Sequence, residues 1–227
     1  MSDHKTDTVT TPSDKTAKPV SPIRAVILDY GEVISQPPDP AAIATMAGIL
    51  ELPVDRFRSL YASLRHAYDR GDLDGDEYWA GIAREAGVNL SAFQVARLRE
   101  LDVAMWSRLN PSVLRRSGQL RSSGVKTAML SNMHHDMVQK IRSEPVWAES
   151  FDCLTLSSEI RMAKPEAEIF KHCLKCLQAA PHEALFVDDR ALNVQAAQEL
   201  GIRGIVSNSP AELQRQLEAI GFTPQPE

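Results

Sequence analysis

Asp29 closes an uninterrupted apolar run, Ala25-Val26-Ile27-Leu28, and Tyr30-Gly31 follow at once. Such a run reads as a strand buried on both faces of a parallel sheet, and a carboxylate at its carboxyl end stands where open α/β sheets gather their chemistry. Two later segments end in the same way. Thr127-Ala128-Met129-Leu130 runs into Ser131-Asn132, and Ala184-Leu185-Phe186-Val187 runs into Asp188-Asp189. Between them Met162-Ala163-Lys164-Pro165 puts a lysine in a loop ahead of a helix. A carboxylate, a hydroxyl, a lysine and a carboxylate pair, in that order, are the parts of a magnesium-dependent phosphoryl-transfer site. A phosphate monoester is dianionic and repels an anionic nucleophile, so a metal and a lysine are needed to offset that charge.

These residues need elements to position them. Strand-like runs recur at 24–28, 125–130, 152–156, 184–187 and 203–206, with helical patterns between the later ones. Asn110-Pro111 and Lys164-Pro165 mark helix starts, and Gly201 and Gly221 mark helix stops. Strands alternating with helices imply βαβ units and right-handed crossovers. The expected fold is α/β, a Rossmann-like parallel sheet with helices on both faces and an inserted helical-bundle cap. The insert is the stretch 36–108, which lacks strand patterns and reads as four helices near 40–50, 53–69, 75–87 and 91–107. The expected organisation is a disordered tail over 1–22, a core domain from 23–35 and 109–227, and a cap over 36–108 that stands over the carboxyl edge of the sheet as a lid. Trp79 and Trp106 are expected in the cap core. Asp72-Leu73-Asp74-Gly75-Asp76 imitates a calcium loop, but loop positions six and twelve are Glu77 and Ala83 instead of Gly and Glu, so helix capping is the better account.

Composition narrows the field. A net charge of −5 and a pI near 5.7 disfavour nucleic acid as a partner, and no apolar stretch approaches a membrane span. The first twenty residues lack an apolar secretory core. None of the 3 cysteines is placed like a disulfide framework, and Cys173-x-x-Cys176 lies inside a helical pattern, so a reducing cytoplasm is the expected compartment. The expected partner is a small phosphorylated molecule, and a homodimer is allowed for.

The ordered motifs resemble the haloacid dehalogenase-like hydrolases over residues 24 to about 208: Asp29-Tyr30-Gly31-Glu32-Val33-Ile34, then Ser131-Asn132, Lys164-Pro165, and Asp188-Asp189 with Asn193. The form of the first and last motifs is similar to the subgroup containing the phosphatase domain of soluble epoxide hydrolase and sugar-phosphate phosphatases. The resemblance implies that Asp29 attacks phosphorus and that Mg²⁺ is the cofactor. It implies Asp29, Asp189 and the Gly31 carbonyl as metal ligands, with Asp188 and Asn193 supporting them directly or through water. Ser131 and Asn132 would bind the phosphoryl oxygens, and Lys164 would neutralise the phosphoryl group and hold Asp29. One position departs. The family's usual second aspartate, its general acid and base, is here Gly31. Glu32 is adjacent, but in an extended chain its side chain points away from that of residue 31. Three readings follow: a phosphatase favouring good leaving groups, a binding protein that has lost turnover, or a 2-haloacid dehalogenase. The retained acidic pair, and a tyrosine one residue after Asp29 where dehalogenases usually have it two after, disfavour the last.

Overall fold

The computed structural model describes residues 22–219 apart from residue 208. The tail expected over 1–22 lies, up to residue 21, outside that range, as does the chain beyond Ala219. A five-stranded sheet forms from β1 (Ala25–Leu28), β2 (Lys126–Ser131), β3 (Cys153–Leu156), β4 (Ala184–Asp188) and β5 (Arg203–Val206). Its order is β3-β2-β1-β4-β5 and every pairing is parallel. The first strand is therefore central. The chain leaves it in one direction to β2 and β3, then returns to its other side for β4 and β5. That reversal is the switch point at which open α/β sheets leave a crevice at their carboxyl edge.

Strand alternation explains why β1 is apolar throughout. Val26 and Leu28 join Met129, Leu185 and Val187 on one face, while Ala25 and Ile27 join Ala128, Leu130 and Phe186 on the other. The first face is covered by α6 (Pro111–Ser122), α7 (His135–Ser143) and α8 (Val146–Ser150), through Val113, Leu120, Met137, Val138, Ile141 and Trp147. The second is covered by α10 (Ala167–Leu177) and α11 (Ala191–Glu199), chiefly through Ile169, Phe170, Leu174 and Ala197. A short α9 (Ser157–Ile160) follows β3, and α12 (Pro210–Ala219) ends the described chain.

Between β1 and β2 lie α1 (Pro40–Ile49), α2 (Val54–Ser63), α3 (Arg65–Arg70), α4 (Gly75–Ala86) and α5 (Ala92–Trp106). They enclose a separate apolar cluster around Met46, Phe57, Tyr68, Tyr78, Trp79, Ile82 and Leu98. The single helix expected over 53–69 is broken at Leu64. The calcium-like run is a helix start: Asp74 accepts from the Glu77 N–H at 2.8 Å, and Glu77 accepts from the Asp74 N–H at 2.9 Å.

The cysteine reading is corrected. Cys153 of β3 and Cys176 of α10 form a disulfide across 23 residues, leaving Cys173 as the buried free thiol among the described residues. Only the packing of α10 on the sheet brings the two sulfurs together, so no spacing rule flags them. Disulfides are rare in reducing compartments, and this one weighs against the cytoplasmic expectation.

Candidate active site

The backbone register fixes the site first. Leu28 pairs with Met129 on one side and Val187 on the other, and the Asp29 N–H donates to the Val187 carbonyl at 2.9 Å. Asp29, Ser131 and Asp188 therefore emerge side by side from the ends of β1, β2 and β4. Every site residue named from the sequence is gathered here. Asp29, Gly31, Ser131, Asn132, Lys164, Asp189 and Asn193 line one pocket, and Asp188 lies at its floor beside Asp29 and Asp189.

Lys164 is the hub. Its Nζ lies 2.7 Å from Asp29 Oδ1 and 2.6 Å from Asp188 Oδ2, all three side chains being buried. Asp29 Oδ1 also accepts from the Tyr30 N–H at 2.6 Å. Its Oδ2 receives no donor and belongs to the pocket wall, so one oxygen is anchored and the other is available to attack. Asp188 accepts from Lys164, from Asn193 Nδ2 at 3.0 Å on both oxygens, and from the Arg190 N–H at 2.8 Å. With its lone pairs so occupied, Asp188 holds the lysine in place; Asp189, half-buried and facing the pocket, is the more open acid.

Asn132 departs from expectation. Its side-chain amide clamps the Lys164 backbone, accepting from the N–H at 2.7 Å and donating to the carbonyl at 2.8 Å. The side chain thus positions Lys164, leaving the second amide N–H and the Asn132 backbone for a phosphoryl oxygen. The Ser131 hydroxyl has just a long 3.4 Å contact to the Asn132 carbonyl and is free for a ligand.

The charges do not balance within the protein. Carboxylate oxygens of Asp29, Asp188 and Asp189 all lie within 4.8 Å of one another, with Lys164 the cation among them. Burial pushes Asp29 up to about 8 despite the pull of Lys164, with Asp188 and Asp189 adding to the rise. Burial, Asp188 and Glu32 push Asp189 up to about 6. Burial opposes the charge on Lys164, but Asp29 and Asp188 outweigh it and hold its pKa above the usual lysine value. Crowded oxygen donors with excess negative charge suit a hard divalent cation such as Mg²⁺.

Gly31 places no side chain in this site. The turn after Asp29 is wide, closed by the Ser35 N–H on the Tyr30 carbonyl at 2.7 Å, and it passes through Glu32 at φ 56° and ψ 0°. The extended course assumed for Glu32 is thus corrected: the left-handed residue turns the chain, and Glu32 lines the pocket.

The wall opposite comes from the inserted helices. Tyr61, Arg65, Asp69 and Trp106 line the pocket with His134, the residue before α7. Trp106 is therefore pocket wall as well as a flank of the insert's core, while Trp79 is fully buried in that core. Behind them Asp102, fully buried, accepts from Tyr61 Oη at 2.5 Å and from Arg65 Nη1 at 2.9 Å. In sequence these charges carry no mark, because an arginine or aspartate in a helical pattern reads as solvated.

Comparison with known proteins places the chain in a family. A haloacid dehalogenase-like hydrolase family model matches residues 21–221. The chain is 29% identical over 208 residues to drimenol cyclase drtB of Aspergillus calidoustus, covering 89% of this chain and 37% of that protein. It is 29% identical over 157 residues to the bifunctional epoxide hydrolase 2 of Mus musculus, covering 67% of this chain and 28% of that one. The chain thus spans well under half the length of these relatives. Phosphatases are also among the curated relatives, and haloacid dehalogenases among the structural neighbours. A HAD family enzyme of Bacteroides thetaiotaomicron, solved with magnesium and inorganic phosphate, superposes with a TM-score of 0.68 at 24% identity, covering 83% of this chain and 96% of that one. The chain belongs to the haloacid dehalogenase-like hydrolases.

Proposed function

We propose that this protein is a magnesium-dependent phosphatase that cleaves a small phosphorylated metabolite by transfer of the phosphoryl group to Asp29. The observation that carries the reading is the half-anchored Asp29 carboxylate: Oδ1 is held by Lys164 and the Tyr30 N–H, and the residue lines one pocket with Ser131 and Asp189. Asp29, Asp189 and the Gly31 carbonyl would hold Mg²⁺, which supplies positive charge against the phosphate dianion. Ser131 donates its hydroxyl to a phosphoryl oxygen, and the Asn132 backbone faces another. Lys164 neutralises a third while keeping Asp29 oriented. Asp29 Oδ2 bonds to phosphorus as the ester P–O bond breaks and the leaving oxygen departs with the electron pair; water then hydrolyses the aspartyl-phosphate, restoring the carboxylate and releasing phosphate.

With Gly31 at the usual acid/base position, protonation of the leaving oxygen is the weak step. General acid–base help is worth about 10²–10⁴-fold, so acyl and anomeric phosphates, which leave as weaker bases, are the preferred substrates over simple alkyl phosphates. Magnesium-dependent phosphate release from purified protein, reduced to background by Asp29→Asn, is the expected outcome. Gly31 also favours a second reading, a phosphate-binding protein without turnover. Magnesium-dependent binding of phosphate esters with no release from acyl, anomeric or alkyl phosphates would establish that instead.

A further inference from the structure

The Cys153–Cys176 disulfide closes a covalent ring, and Lys164 stands near the middle of the 23 residues that separate the two cysteines. The ring contains β3, α9, the Lys164 loop and α10. It also carries two of the contacts that fasten the inserted helices to the core. Ser157 accepts from the Met133 N–H at 2.8 Å and donates to the Asp69 carbonyl, and Glu166 accepts from Arg70 Nε at 3.0 Å. Lys164 Nζ lies 5.5 Å from the centroid of Phe186, which meets Phe170 of α10 edge-on at 5.3 Å. The two cysteines differ in surroundings. Cys153 is buried, with its Sγ 3.6 Å from Thr155 Oγ1, whereas Cys176 is exposed near the end of α10. Cys173 lies one turn earlier on that helix, and burial pushes its thiol up to about 12, so it stays protonated and unreactive. Neither Cys153 nor Cys176 lines the pocket over Asp29.

We propose that the Cys153–Cys176 pair is a redox switch on the active site: the disulfide holds the Lys164 segment in its working position, and a dithiol reductant releases it. The inference rests on the phosphatase reading of that site and adds its regulation. One thiolate of the dithiol bonds to the Cys176 sulfur as the Cys153–Cys176 bond breaks. The electron pair leaves on the Cys153 sulfur, where the Thr155 hydroxyl can donate to it before it takes up a proton. The second thiol of the reductant then displaces Cys176, and the dithiol departs as a cyclic disulfide, having delivered two electrons and two protons. The opened ring does not unfold. Ile169, Phe170, Leu174 and Leu177 still bury α10 against the sheet, and Lys126 Nζ still donates to the Leu177 carbonyl at 2.8 Å. What changes is the freedom of the segment, which a closed ring restricts. Lys164 is then set between Asp29 and Asp188 for less of the time.

The test compares the full chain with Mg²⁺ before and after reduction by dithiothreitol. Turnover is read on acetyl phosphate, and binding is read separately with inorganic phosphate. Reduction should lower kcat/KM about tenfold and weaken phosphate binding, and reoxidation should restore both. The Tm should fall by about 10 °C on reduction. Cys176→Ser, a change at an exposed position, should sit at the reduced level whether or not dithiothreitol is present. Cys173→Ser should keep the full response. If no phosphate is released in either state but reduction weakens phosphate binding, the switch stands and the phosphatase reading fails. Turnover and phosphate binding that hold or rise on reduction while the Tm falls would make the disulfide a structural staple and overturn the inference. A thiol count showing Cys153 and Cys176 free in protein isolated without reductant would overturn it too.

Discussion

Gly31 has φ −61° and ψ 128°, a backbone conformation open to any residue, and a Cβ built there would lie 3.6 Å from Trp106, an ordinary contact. Neither backbone nor packing demands glycine. Gly31→Asp should therefore be accepted and should install a carboxyl where the family keeps its acid and base. The expected result is a gain of about 10²-fold on alkyl phosphates and much less on anomeric ones, read from kcat across a leaving-group series. A folded variant with no gain would mean that the proton already comes from elsewhere. His134 supports a second prediction. Burial lowers its pKa to about 4, Asp102 and Asp136 pulling upward and Arg65 and Arg99 downward. The unfolded chain binds this proton near pH 6.5 and the folded one only near 4, so the stabilisation is complete above about 6.5 and lost as pH falls to 4. The loss is about 3 kcal/mol. Asp69, pushed up to about 6 by burial, opposes it, favouring the fold as pH falls through that window. The difference between wild type and His134→Phe isolates the histidine: denaturant titrations should show wild type losing about 3 kcal/mol relative to the variant between pH 6.5 and 4.

Elements in this protein are set by local signals at their ends and by neighbours in their middles. The Asn110-Pro111 start, the capping pairs Asp74–Glu77 and Ser91–Gln94, and the left-handed Gly201 after α11 are all legible in sequence. The break between α2 and α3 is not. Leu64 there packs against α4, where a Cβ on Gly81 would come within 2.6 Å of its Cδ1. A comparable closeness joins β5 to α11: a Cβ at Gly204 would lie 2.5 Å from Val194 Cγ1, on a branched side chain with little room to rotate. Gly204→Ala should cost about 1–3 kcal/mol by overpacking, seen as a lower midpoint in urea with an unchanged slope. An equally stable variant would show that α11 can shift outward freely.

At the scale of the molecule, the inserted helices are fastened to the core directly beside the site. Arg99 of α5 forks onto Asp136 of α7 at 2.6 and 2.8 Å, Tyr68 Oη donates to the same carboxylate at 3.2 Å, and Arg70 reaches Glu166 at 3.0 Å. Ser157 Oγ donates to the Asp69 carbonyl and accepts from the Met133 N–H. These contacts hold the polar wall over Asp29, so metal binding and global stability should be linked. Mg²⁺ should raise the Tm in a concentration-dependent way, by the mass-action rule for a ligand of the native state, and Asp189→Asn should abolish most of that rise. A metal-independent Tm would argue against a cation at the three carboxylates. By itself the sequence determined the parallel sheet, the inserted helices and the polar residues gathered at the strand ends. Apolar runs with polar residues at their carboxyl ends are local patterns, and parallel pairing aligns those ends whatever the packing details. Tertiary structure alone decided that Asn132 holds Lys164, that Glu32 turns into the pocket, that Cys153 meets Cys176, and that His134, Asp69 and Trp106 form the facing wall. Each depends on a partner distant in the chain, and a buried, unmet polar group looks like a solvated one until its neighbours are in place.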